Sequence, residues 1–294
     1  MAKQKAKTNV ILPEKAFECG VSSSGIASVS PGDYRRKSNH NRVMSGHPVS
    51  PGDYPWLVGV NLKDSICTGS LISRRYVLTA GHCLAKVKNV DEMHALIGTV
   101  KFDYVEADRL KLGEKIKRFV IHPTFVNNQS SGFDIALMEL ATPVTYNQTI
   151  QPVCLVDNYH ESFHSMAFVV GWGHNNKTES HQEIAQEGAV PIGSFSECSD
   201  WFQYNPNYYI CAGALDRGTE TGDSGGPMLV NQDGRWWQIG VTAFGIDPIP
   251  GPDHRFSDVG AYSRISTACD WIRRTTYGEI KCQNIKKSPP IKEI

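Results

Sequence analysis

Three short segments of this 294-residue chain carry side chains that could act together on an acyl group. Leu78-Thr-Ala-Gly-His-Cys83 puts His82 at the end of an apolar run, and Asp134-Ile-Ala-Leu137 opens on a carboxylate. Gly222-Asp-Ser-Gly-Gly-Pro227 sets Ser224 in a turn crowded with glycine. A serine hydroxyl is a poor nucleophile until an imidazole takes its proton, and a carboxylate must hold that imidazole in the right tautomer. Glycines beside the serine let backbone N–H groups converge on a developing oxyanion without side-chain obstruction. Each segment alone has an ordinary structural explanation. The order His, Asp, Ser, at separations of 52 and 90 residues, makes the set specific for nucleophilic acyl transfer.

A second catalytic motif competes on paper. His160-Glu-Ser-Phe-His164 matches H-E-x-x-H, a zinc-protease pattern that needs a helix presenting both imidazoles on one face, plus a third ligand. Asn158, Tyr159 and Ser162 make a poor buried helix, so the match is read as chance and no metal is expected there.

The elements that must position the three groups are short. Trp56–Leu62, Ser70–Ile72, Tyr76–Ala80, Phe119–Ile121, Ile135–Leu140, Ala167–Gly171, Pro227–Val230 and Trp236–Phe244 are apolar or alternating runs bounded by turn residues, which predicts strands. Their recurrence over more than 200 residues points to a barrel or sandwich. One helix is predicted over Thr267–Tyr277, with Ala268, Trp271, Ile272 and Thr275 on one face. Residues 1–42, rich in Ser, Gly, Lys and Asn, read as an extended leader. The hexapeptide Val-Ser-Pro-Gly-Asp-Tyr at 29–34 and 49–54 reads as turn chemistry or a local duplication, not a repeat architecture.

Thirty basic and 30 acidic residues sum to zero, which argues against nucleic acid as a partner. The balance is uneven: residues 1–42 carry +5, 281–294 carry +3, and the body between them carries −8. No apolar run approaches the ~18–20 residues that would cross a bilayer, so no membrane partner is expected. Eight cysteines suggest an oxidising compartment and allow 105 complete pairings. The basic start, Met1–Lys7, has no apolar stretch behind it, so no signal peptide is read there, in tension with the cysteines.

On His82, Asp134, Ser224 and their flanking residues, the chain resembles the chymotrypsin/trypsin family of serine proteases over about residues 43–276. The resemblance implies an all-β fold of two packed six-stranded antiparallel β-barrels with a C-terminal α-helix, preceded by a leader (1–42) and followed by a tail (277–294). It makes His82 the general base and acid, Asp134 its orienting group and Ser224 the nucleophile, with backbone N–H groups of Gly222 and Ser224 as the oxyanion hole. Val43-Met-Ser-Gly46 looks like the family's mature N-terminus and Arg42 like its activation site. Cleavage there would free an α-amino group to pair with Asp223 and order the site. The substrate pocket falls on Gly218, Thr219, Ala243, Phe244, Gly245 and Gly260. Gly218 stands where the trypsin branch carries the Asp that attracts Lys or Arg, so a large apolar or aromatic residue is expected before the scissile bond. Ala243 replaces a serine that normally bonds the catalytic Asp, leaving Asp134 one donor fewer.

The resemblance also pairs Cys67 with Cys83, Cys198 with Cys211, and Cys154 with the leader's Cys19, leaving Cys269 with Cys282. Protein or peptide substrates, a trypsin-like activating protease and serine protease inhibitors are the implied partners, and secretion the implied location. Asn128, Asn147 and Asn176 open glycosylation sequons that matter only on that route. No cofactor is expected. The family's calcium loop would fall within 98–114, where Asp103, Glu106 and Asp108 are available as ligands, so calcium stands as the alternative to reading them as solvated acids. A protease-like module used only for binding is the non-enzymatic alternative.

Overall fold

An apolar strand face must be covered, and a twisted six-stranded sheet covers its inner face and removes its edges by closing on itself. The computed structural model describes residues 18–22, 46–63, 65–102, 113–125, 132–160, 162–175, 180–194, 205–214, 217–245 and 259–285. Its first half builds β1 (Leu57–Leu62), β2 (Ile66–Leu71), β3 (Tyr76–Thr79), β4 (Met93–Ile97), β5 (Glu114–Ile121) and β6 (Ala136–Leu140). They close as an antiparallel barrel in the order β1-β2-β3-β6-β5-β4, with β4 returning to β1. Every residue of β1, β2, β3 and β6 is buried.

The second half builds β7 (Met166–Gly171), β8 (Gln186–Pro191), β9 (Tyr209–Ala212), β10 (Pro227–Gln232), β11 (Arg235–Gly245) and β12 (Gly260–Arg264). Their order is β8-β7-β10-β11-β12-β9, and a single bridge from Ile192 to Ala212 brings the end of β8 back to β9. Two-residue strands extend this sheet, His47–Pro48 on β8 and Cys154–Leu155 parallel to β11. Where β11 meets β12 the register shifts between Thr242 and Phe244, a bulge that makes Ala243 the extra residue. The two halves share one core in which Trp236 packs on Tyr54, Trp56 and Phe168. Across the seam the Ser70 hydroxyl donates to Gln238 Oε1 at 2.6 Å, and both side chains are buried.

A short turn of helix, α1 (Gly81–Leu84), follows β3, and α2 (Ile265–Thr275) follows β12. The expected C-terminal helix is therefore present but begins and ends two residues early. Its stop is set by Tyr277 and Gly278 at φ +53° and +83°, where the Gly278 N–H reaches back to Arg273 O at 2.7 Å. Ile265 and Cys269 join Ala268, Trp271 and Ile272 on its buried face, whereas Thr275 is only half-buried.

Residues 18–22 lie against the second barrel. The Gly20 N–H donates to Pro152 O at 2.8 Å, Gly20 O accepts from Trp236 N–H at 2.9 Å, and Glu18 pairs with Arg235. Disulfides join Cys19 to Cys154, Cys67 to Cys83 and Cys269 to Cys282. Cys211 is also disulfide-bonded, and Cys198, its expected partner, lies outside the described residues. Among the described residues, no helix is long and apolar enough to cross a membrane.

Candidate active site

His82 is positioned by its neighbours in the chain. It lies in α1 directly after β3, and the next residue, Cys83, is tied covalently to β2 through Cys67. A Cβ on Gly81 would meet the Phe125 ring at 2.9 Å and Asp134 Oδ1 at 3.1 Å, so the turn approaches the acid this closely because position 81 has no side chain. Asp134 is 4% exposed and enters β6 just after Phe133, a non-glycine residue at φ +56°. Its Oδ1 accepts the His82 backbone N–H at 2.7 Å, and its Oδ2 lies 2.6 Å from His82 Nδ1. Both oxygens thus engage His82 itself. A carboxylate facing Nδ1 keeps the proton there and leaves the lone pair on Nε2. Behind the pair, the buried Tyr209 phenol is pushed up by burial first and by the Asp134 charge second. Ala243, in the small cluster with Tyr209 and Ala261, supplies methyl packing where the expected serine would have donated a hydroxyl.

The Ser224 turn leads into the second sheet but is docked on the first barrel. Thr68 in β2 donates its N–H to Ser224 O at 2.8 Å and its hydroxyl to Gly222 O at 2.8 Å, while Thr79 donates its hydroxyl to Thr68 O at 2.8 Å. Gly225, at φ +82°, gives its N–H to Thr242 O, and a Cβ there would overlap Thr79 Oγ1 and Thr68 O. The Cys83 sulfur lies 3.8 Å from His82 Nε2 and 3.7 Å from Ser224 O, flanked by both segments. Cys67, His82 and Cys83 form the one group of three or more potential metal ligands found among the described residues. The disulfide commits both sulfurs and rules that group out as a metal site.

Asp223 is 2% exposed and faces backbone. Its Oδ1 accepts from Gly173 N–H at 2.7 Å and its Oδ2 from Glu220 N–H at 3.0 Å. A Cβ on Gly171 or Gly173 would overlap this carboxylate, which explains the Gly171-Trp-Gly173 pattern. Burial outweighs the two N–H bonds and pushes the Asp223 carboxyl up to about 6. Arg42 and Val43 lie outside the described residues.

Of the expected pocket residues, Thr219, Phe244, Gly245 and Gly260 lie together. Gly260 lies beside Phe244 O and Thr219 Oγ1, Gly245 faces Thr219 O, and Thr219 Oγ1 is 3.5 Å from Tyr262 OH. Tyr262 is wholly buried, and burial raises its phenol well above the ordinary range. Sequence reasoning passed over Thr68, Gly171, Gly173 and Tyr262. The two glycines flanking a tryptophan were a readable signal, whereas Thr68 and Tyr262 carry none outside their three-dimensional setting.

Other sequence candidates lie elsewhere. His160 and His164 sit in an irregular connection, with His164 at φ +64°, so the helix that a zinc motif needs is absent there. Asn147 is exposed, and its side-chain oxygen accepts from the Thr149 N–H and hydroxyl, while Asn128 and Asn176 fall outside the described residues, as do Asp103, Glu106 and Asp108.

Comparison with known proteins agrees with this architecture. The family model for trypsin matches residues 43–272. The chain is 28% identical over 257 residues to the clotting factor G beta subunit of Tachypleus tridentatus, covering 81% of each protein. It is 27% identical over 246 residues to coagulation factor XI of Bos taurus, covering 81% of this chain and 38% of that protein.

Proposed function

Since the chain belongs to the trypsin family of serine proteases, we propose that it is a serine endopeptidase working through His82, Asp134 and Ser224. The observation that carries this reading is the doubly bonded Asp134–His82 pair beside a Ser224 turn fastened to the same barrel through Thr68. In the reaction, Ser224 Oγ attacks the scissile carbonyl carbon while His82 Nε2 takes the hydroxyl proton. The carbonyl π electrons move onto oxygen, and the N–H groups of Gly222 and Ser224 hold that oxyanion; one such donor is worth ~3 kcal/mol in related sites. The C–N bond then breaks, with the proton passing from His82 to the leaving amine. Water, deprotonated by His82, releases the acyl group and regenerates Ser224. Asp134 stays ionised throughout and stabilises the imidazolium.

Activation is by cleavage after Arg42. Among the described residues the buried Asp223 carboxylate is held by two N–H groups, burial pushes it toward its neutral form, and a new α-amino group at Val43 supplies a cation. That pairing orders the backbone from Glu220 to Ser224. Because Cys19 is bonded to Cys154, a cut at Arg42 leaves the leader attached. Gly218, Thr219, Ala243, Phe244, Gly245 and Gly260 are all uncharged residue types, which supports preference for a large apolar or aromatic residue. An uncharged pocket cannot favour Arg42 itself, so a separate trypsin-like protease makes the cut. The disulfides favour secretion, and two relatives named for clotting fit an enzyme that waits on another protease.

The test is to cut the purified protein after Arg42, treat it with a fluorophosphonate probe, and profile it on peptide libraries. Covalent labelling of Ser224 with cleavage after aromatic residues is the expected result. Absence of labelling would replace the enzyme reading with that of a binding module.

A further inference from the structure

A second pair of imidazoles lies behind the segment that carries the proposed oxyanion donors. The strands His174–Asn175 and Ser180–His181 pair antiparallel, with His174 directly opposite His181. Directly opposed residues point to the same face with Cβ atoms about 4.5–5.5 Å apart. Here the two Nε2 atoms are 3.2 Å apart, the ring centroids 4.1 Å apart, and neither residue is fully buried. Both histidines touch the oxyanion segment. The His174 N–H donates to Thr221 O at 2.8 Å, and a Cβ on Gly222 would come within 2.8 Å of His181 Nδ1.

We propose that His174 and His181 form a binding site for one divalent transition-metal ion of the zinc class, held through both Nε2 atoms and completed by water. Two imidazoles bound to one zinc at ~2.0–2.1 Å in a tetrahedral shell have their nitrogens about 3.3–3.4 Å apart. The 3.2 Å pair therefore stands near chelating distance, and the rings, 4.1 Å apart at their centroids, swing to about 5 Å so that both lone pairs meet at one ion. Neutral imidazole is a good ligand for zinc, copper and nickel and a poor one for calcium or magnesium. Both rings bind in the neutral form with Nε2 deprotonated, so the proton shared between the Nε2 atoms moves to the Nδ1 of His174 through solvent, while the Nδ1 of His181 is buried and keeps its own proton. The bound ion ties the two strands together and, through the Thr221 and Gly222 contacts, braces the oxyanion segment. This proposal does not depend on peptide cleavage, and its test reads binding alone.

The uncut full-length protein, freed of metal, is titrated with zinc chloride by calorimetry. One zinc per chain is expected, with affinity at least about 10-fold weaker in His174→Gln and in His181→Gln, since loss of a direct ligand costs no less than the 10–100-fold typical of its outer partners. The double variant His160→Ala/His164→Ala is expected to bind as the wild type does. Unchanged binding in the His174 and His181 variants, loss in the His160/His164 variant, or no binding at all would overturn the proposal, the last leaving a plain histidine–histidine hydrogen bond. Side-chain ¹⁵N spectra of the wild type keep the test independent of variant folding: zinc must move the Nε2 resonances of both His174 and His181, and a site elsewhere would leave them in place.

Discussion

Asp223 gives the activation reading its sharpest quantitative consequence. In the uncut chain its carboxyl is pushed from an ordinary 3.8 to about 6 by burial, with only the N–H groups of Gly173 and Glu220 opposing. A pKa raised in the folded state means that the native protein holds a proton which the unfolded chain has already released. The associated stability is complete below pH about 4 and is lost as pH rises through about 6. Two pKa units correspond to about 3 kcal/mol. No discount for solvent screening applies, because the group is 2% exposed. The perturbation is Asp223→Asn, similar in shape and neutral at every pH. Unfolding free energies of the uncut wild type and variant are measured in denaturant between pH 4 and 8 with disulfides intact. The wild type is expected to lose about 3 kcal/mol relative to the variant between pH 4 and 7, then to run parallel to it. After cleavage at Arg42 the arriving α-amino group lowers the carboxyl, so the same difference reverses sign. A difference independent of pH in the uncut chain, or one that already favours the wild type as pH rises, would refute the reasoning by showing that Asp223 is stabilised as an anion before any cut.

Thr68→Val keeps the shape and the N–H bond to Ser224 but removes the hydroxyl bond to Gly222 O; losing about 1 kcal/mol of positioning should lower kcat roughly fivefold with KM unchanged, read from steady-state kinetics of the cut enzyme. Gly218→Asp adds a carboxylate to the proposed uncharged pocket residues, and should shift kcat/KM toward Arg over Phe substrates by at least about tenfold on a peptide panel. Because Cys19 is bonded to Cys154, cutting after Arg42 should leave one species on a non-reducing gel and release the leader only with reductant, whereas Cys154→Ser should release it without.

The segments around His82, Asp134 and Ser224 were readable because each sets a polar group of distinctive type beside an apolar run or a glycine turn. His82 follows the short apolar strand β3, Asp134 comes just before the apolar β6, and the Ser224 turn announces itself by its glycines. Strands such as β8, Gln-Glu-Gly-Ala-Val-Pro, and β12, Gly-Ala-Tyr-Ser-Arg, escaped because their burial comes from neighbours on both sides and not from alternation within the segment. The same limit hid Thr68. A threonine inside an apolar strand looks like ordinary β propensity, and its two bonds to the Ser224 turn exist only because the second sheet brings that turn against the first barrel. His174 and His181 were equally silent, seven positions apart in sequence and brought opposite each other by strand register alone.

The central claim, that these three side chains form one catalytic unit, is tested most directly by a single comparison. The cut wild type and Ser224→Ala are assayed on the best peptide from the library, with labelled leader termini confirming complete cleavage in both. Removing the nucleophile of such a unit should lower kcat by at least about 10⁴-fold while leaving KM within a few-fold. A variant that keeps wild-type turnover, or a fully cut wild type no faster than the variant, would contradict the account.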